Sequence, residues 1–277
     1  MLQVIDTYGE IQKLLETGSF DRDAYWKYAA GISETLPKMV EEDIRGYDFE
    51  NQVLPVLQYF YAHRDLAKTA HNSFLQAVEG LEEKCRRVGY GTLDSTVVLY
   101  MGLCCAAGWA TELDGRPAVL LGIEKIVELN WVDEASMIGL VYHELGHNWH
   151  NQNRRMQSRV ESPRQKALWQ LYTEGVAMYY EQLLCGDGRF FHQDRDGWLD
   201  WCEENERRLA KEYLRRVESG ESVQDFFGDW CNFEGRSDVG YYLGARVIHR
   251  ICEERGIAEM VDLPLEEVED FLKRLSC

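Results

Sequence analysis

His143-Glu144-Leu145-Gly146-His147 sets two imidazoles four residues apart with a carboxylate directly after the first. On an α-helix, residues four apart stack on one face, so both rings can hold a single metal ion. The glutamate points about 100° round the helix, towards a water on that metal. This is the spacing of zinc-assisted hydrolysis. The metal lowers the pKa of the water to about 7, and Glu144 takes its proton as the oxygen attacks a carbonyl. The same carboxylate can then hand the proton to a leaving amine. The competing reading is an amphipathic helix that carries two incidental histidines.

Such a site needs a rigid backbone, and the neighbouring residues predict one. From Asp133 to about Met156 the chain has no proline, and Met137, Ile138, Leu140, Val141, Leu145 and Trp149 recur near the helical period. Asp133 or Asn130 can cap the start. Before this helix the pattern changes. Ser95 to Met101 and Trp109 to Glu112 are β-prone, Asp114-Gly115 reads as a hairpin turn, and Ala118 to Leu121 follows as a further strand. Ala118 to Leu121 is the candidate edge strand beside the metal, where an extended peptide can add by backbone hydrogen bonds; the alternative is an internal core strand.

Residues 1 to about 88 read as helices, the clearest from Phe49 through Arg87 with a break near Pro55. After the site helix the candidates are 163–185, 196–218, 239–255 and 264–275. The expectation is a single unit of helix-rich α+β class. Residues 1–90 form a helical N-terminal region, 91–156 a small, mostly antiparallel sheet with the site helix, and 157–277 a helical C-terminal subdomain.

Two histidines are one ligand short, because a catalytic zinc takes three protein ligands and keeps one open position. A third histidine six residues after His147 is excluded, since that position is Asn153 and the glycine expected between them is His150. A glutamate on a following helix is the other solution, and the stretch from Leu171 to Glu181 offers Glu174.

At this point three segments resemble one family. His143-Glu144-Leu145-Gly146-His147-Asn148-Trp149 resembles the zinc-helix motif of the aminopeptidase-N family. Thr173-Glu174-Gly175-Val176-Ala177 is similar to its Asn-Glu-Gly-Phe-Ala segment, whose glutamate is the third ligand. Tyr241-Tyr242-Leu243-Gly244-Ala245-Arg246-Val247-Ile248-His249 resembles its Tyr-x-Lys-Gly-Ala-x-Val-Leu-His stretch, whose first tyrosine stabilises the transition state. The motifs come in the family's order and span residues 118 to 255. The resemblance implies a zincin-like catalytic unit of the gluzincin, thermolysin-like superfamily and one zinc ion per chain. His143, His147 and Glu174 would be its ligands, Glu144 the general base and Tyr241 the oxyanion donor, with Tyr242 as the fallback. The residue-level alternatives are a helix-surface glutamate for Glu174 and an aromatic packing role for Tyr241.

The chain also departs from the family. Between His147 and Glu174 lie 26 residues, more than is usual there, which a loop insertion around Gln157 to Pro163 would absorb. The segment that anchors a substrate's free amine has only a loose echo in Gly108-Trp109-Ala110-Thr111-Glu112, with its glutamate one place late. The short chain looks closer to a small bacterial metalloprotease than to an aminopeptidase proper. Two other functions stay open: a zinc-binding regulatory protein with little or no turnover, and a zinc hydrolase of non-peptide amides or esters.

The remaining sequence sets outer bounds. A length of 277 residues supports a substantial core. A net charge of −18 argues against a nucleic-acid partner, and the partner that the resemblance implies is a peptide or protein substrate. The N-terminus lacks the pattern of a secretory signal, and no apolar run reaches membrane-spanning length. The eight cysteines contain no Cys-x-x-Cys pair and read as reduced small hydrophobes of a cytoplasmic protein. Glu181 and Asp238 are candidates to orient the site. His150 reads as a structural or substrate-contact residue rather than a ligand, and His249 as packing within its helix. His63, His71 and His192 read as isolated solvated or core-edge residues.

Overall fold

Ser95-Thr-Val-Val-Leu-Tyr100 is rich in β-branched residues, and all six are buried, as a strand covered on both faces must be. In a computed structural model of the chain, which describes residues 1–103, 106–156, 160–228 and 230–277, it is the second of four strands. These are β1 (Leu2–Asp6), β2 (Ser95–Tyr100), β3 (Gly108–Leu113) and β4 (Arg116–Gly122), in the spatial order β1-β2-β4-β3. Parallel pairing joins β1 to β2 and β2 to β4, while β3 and β4 form an antiparallel hairpin. Asp114 and Gly115 turn that hairpin with φ of 51° and 75°, the left-handed pair that a two-residue loop requires. Hydroxyls of Ser33 and Thr35 donate to the Asp114 carboxylate at 2.7 and 2.8 Å and hold it below the usual carboxylate range, Ser33 most of all.

Two expectations are corrected here. The sheet is mixed, with two parallel pairings, rather than mostly antiparallel, and its first strand comes from a terminus that the sequence pattern assigned to helix. Five residues are too few to show a period, and β1 exists because Leu2–Asp6 finds the edge of β2. The edge strand beside the site is also β3, not Ala118 to Leu121. β4 lies inside the sheet between β2 and β3, and its residues 118–122 are buried.

One compact unit comprises Met1–Arg87 and Leu93–Asn148. Its helices are α1 (Tyr8–Glu16), α2 (Arg22–Ile32), α3 (Leu36–Asp43), α4 (Leu54–Ala62), α5 (Arg64–Val78), α6 (Leu81–Arg87) and α7 (Ile123–Glu128). The helical run expected from Phe49 begins as a π-helical stretch, Phe49–Val53, and passes into α4 at Leu54, so the break falls where it was expected, at Pro55 in the first turn of α4. The site helix α8 (Glu134–Asn153) begins at Asp133, whose carboxylate accepts from Ser136 N–H at 2.9 Å and Ser136 Oγ–H at 2.6 Å. Asn130, the other candidate cap, has φ 55° and follows the end of α7.

The other unit comprises Val88–Thr92 and Trp149–Cys277. It holds α9 (Pro163–Cys185), α10 (Trp198–Ser219), α11 (Val239–Arg255), α12 (Ile257–Met260) and α13 (Leu265–Ser276), in close agreement with the expected ranges. A reciprocal box between Ser162 and Gln165 caps α9, and Pro163 opens it. α9 and α11 cross at Gly175 and Gly244, where a Cβ on Gly175 would stand 2.5 Å from the Gly244 carbonyl oxygen. The glycine after Glu174 therefore serves close contact with α11. Residues 157–159 of the expected loop insertion, and Cys104 and Cys105, lie outside the described residues. Among the described residues no helix is long and apolar enough to cross a membrane.

Candidate metal centre

The helical period brings His143 and His147 together as their spacing requires. His143 is buried and His147 half-buried. Their Nε2 atoms stand 3.2 Å apart, with the rings at 86° to one another. In a tetrahedral zinc site with bonds of about 2.0–2.1 Å, two ligand nitrogens are about 3.3–3.4 Å apart. The pair fits a shared metal on distance and on donor chemistry. Ligand atoms of His143, His147 and Glu174 all lie within 4.8 Å of one another, a two-imidazole, one-carboxylate set of the kind that zinc takes in hydrolases.

Glu144 turns away from the ring pair to the sheet. Its Oε2 accepts the backbone N–H of Ala110 at 2.9 Å. Leu113 and Arg116 close the hairpin, so alternation aims the Ala110 N–H out of the sheet, on the free side of β3. Gly108 supplies the room. A Cβ there would come within 2.9 Å of Glu144 Cγ, 3.0 Å of its Oε1 and 2.7 Å of Leu140 Cδ1. Strand alternation then puts Ala110 and Glu112 on the same face as Gly108, the face that α8 covers.

Glu174 is half-buried on α9. On α10, Tyr213 is fully buried, and its hydroxyl donates to the Ala167 carbonyl at 2.8 Å. Burial raises the pKa of that phenol well above its ordinary value, and the nearby Glu174 carboxylate raises it further. Tyr241 lies in the first turn of α11, half-buried, with the Phe227 ring edge-on at 5.5 Å. The fallback, Tyr242, is excluded by its own contacts. It is buried, donates to Glu206 at 2.8 Å, and packs by Phe191 and Trp198. Burial first, and then the Glu206 carboxylate, push its pKa up.

Other expected positions are resolved around these. His150 is 1% exposed and packed against Trp169 and Tyr172, which is the structural role. Asp238 accepts the Gly228 N–H at 2.8 Å, and Tyr241 N–H donates to its carbonyl at 3.1 Å, so it closes the loop leading to Tyr241. Two histidines read as isolated are not. His192 Nδ1 sits 3.0 and 3.1 Å from the oxygens of Glu181, a carboxylate with no exposure. His71 stacks on Tyr8 and reaches Asp6 at 2.7 Å. Glu181 thus meets His192. His249 does not simply pack within its own helix: its Nε2 lies 2.6 Å from Gln182 Oε1 on α9. None of the six described cysteines is in a disulfide.

Sequence reasoning named Gly108 to Glu112 only as a loose echo of an amine anchor and did not single out the Ala110 N–H or Tyr213. A backbone donor has no letter of its own, and only the alternation of a strand whose edge is known reveals where it points. Comparison with protein families, with curated proteins and with solved structures finds no match to the chain. The fold and its donor group define a helix-rich α+β protein with a four-stranded mixed sheet and a metal-competent cluster on two helices.

Proposed function

We propose that this chain is a zinc-dependent peptidase of gluzincin type, a zincin-like unit in which His143, His147 and Glu174 hold one zinc ion. The observation that carries the reading is the convergence of those three side chains within 4.8 Å, with a glutamate between the histidines whose carboxylate is held at a free strand edge. Bound zinc supplies Lewis acidity, polarising a substrate carbonyl and making water acidic enough to react near neutral pH.

The chain's own residues supply the rest. Glu144 removes a proton from the attacking water and delivers it to the nitrogen of the breaking amide. The Ala110 N–H holds one of its oxygens, which keeps the carboxylate oriented while the other is available to the water. Apart from the Ala110 N–H that Glu144 takes, the backbone of β3 on its free side offers an extended peptide the pairing that a sheet edge gives to strands. Tyr241 donates its hydroxyl proton in a hydrogen bond to the oxygen that gains charge. The Gly175–Gly244 contact supports this role, since Tyr241 lies one turn before Gly244 and Glu174 next to Gly175.

Zinc analysis of purified protein should give close to one ion per chain. Glu144→Gln should keep that ion while peptide hydrolysis falls by about 10²–10⁴-fold, the usual share of a general base. Metal-free wild type, or a Glu144→Gln variant with full hydrolysis, would overturn the reading.

A further inference from the structure

Asn148 stands where a leucine would be expected. It follows Glu144 by one turn of α8, on the sheet-facing stripe with Val141 and Leu145, both fully buried. An amide at such a position is costly unless its donors are satisfied. Asn148 is 4% exposed, and its Nδ2 donates to Ser95 Oγ at 2.9 Å and to the Ala118 carbonyl at 3.0 Å. Those acceptors belong to β2 and β4. Apolar packing would fill the same space but would let the helix slide or turn over the sheet. Two directed bonds to two strands allow one position.

A second tie lies one turn earlier, from Glu144 Oε2 to the Ala110 N–H on β3. Ala110 is paired with Val119, the neighbour of Ala118. Residues 144 and 148 of one helix are therefore bonded to adjacent positions of two neighbouring strands. A helix tied at one point can pivot there, whereas one tied at two points a turn apart cannot move along or about its axis without breaking a bond. We propose that Asn148 is a positioning residue, setting the register of α8 against β2 and β4 so that the Glu144 carboxylate meets the Ala110 N–H. Its catalytic consequence rests on Glu144 being the base; the register itself does not.

Amide exchange separates the two. The Ala110 N–H points away from β4 on the sheet's free edge, so Glu144 is what protects it. In Asn148→Leu, Ala110 should exchange at least about tenfold faster by NMR, while Val98 and Leu120 inside the sheet keep their protection. The same variant should lose about ten- to a hundredfold in kcat with KM little changed, the signature of a displaced catalytic group. A purely structural role would instead raise exchange across the whole sheet. A folded Asn148→Leu protein with wild-type Ala110 exchange, or with full kcat, overturns the proposal. Should that variant fail to fold, Ser95→Ala removes one acceptor and keeps the Ala118 bond. Faster Ala110 exchange is then expected by a smaller factor, and an unchanged rate overturns the proposal. If wild type binds no zinc and cleaves no peptide, the peptidase reading fails while the exchange result still decides the register.

Discussion

The two histidines on α8 and the Glu174–Tyr241 pair on α9 and α11 are placed by different kinds of contact. Around α8 the close neighbours are side chains: at Gly108 an added Cβ would meet Leu140 and Glu144 atoms that can rotate away. Where α9 crosses α11 the neighbours are backbone, and a Cβ on Gly244 would stand 2.7 Å from the Leu171 carbonyl oxygen and 2.9 Å from Gly175 N. Side chains give way by changing rotamer, but a helix backbone can only move as a whole. The first region should tolerate small substitutions at some cost in chemistry, and the second should lose its packing.

Three experiments bear on that contrast. The largest effect is expected from Tyr241→Phe, which leaves the α9–α11 crossing intact and removes one hydroxyl. A loss of about 2.7–4 kcal/mol in transition-state stabilisation, read as kcat, should accompany unchanged zinc content. Near-normal kcat would return Tyr241 to a packing role against Phe227.

The glycine pair tests the contrast directly. Gly244→Ala should cost about 1–3 kcal/mol of stability by denaturant unfolding, and weaken zinc binding through Glu174. Gly108→Ala should leave the unfolding midpoint close to wild type and lower kcat, since the new methyl displaces the Glu144 carboxylate. Equal stability losses in both variants would erase the distinction.

The smallest effect concerns His249, close to the Gln182 side chain on α9. Burial, and then the positive charge of Arg246, lower its pKa below its ordinary value of 6.5. The unfolded chain therefore takes up this proton first. The contribution is full above about pH 6.5 and is lost as pH falls from there through the folded-state pKa. Unfolding midpoints between pH 7.5 and pH 5.5 should fall less steeply in His249→Gln than in wild type.

Much of this architecture was legible from letters alone. The capping residue Asp133, the helical period of α8, and the hairpin at Asp114-Gly115 all depend on contacts within a few residues. The His143–His147 pair is of the same kind, because 3.6 residues per turn brings those rings together whatever surrounds them. Glu174 and Tyr241 came from family-like motifs, and the helices that carry them cross at Gly175 and Gly244, about seventy residues apart.

What the letters could not reveal shares one cause. β1 became a strand, and β3 rather than β4 took the edge, because strand order is settled by which backbone edges meet across long stretches of chain. The same pairing turned the Ala110 N–H towards Glu144 and gave Asn148 its two acceptors. His71 found the carboxylate of Asp6, at the end of β1 and far along the chain, for the same reason. The sequence by itself determined the chemistry on offer: two imidazoles and a carboxylate at helical spacing, local periodicity being written in adjacent letters. Only the tertiary structure decided which backbone donor holds the Glu144 carboxylate and which strands accept from Asn148, since directed contacts between distant segments exist only once the chain has packed.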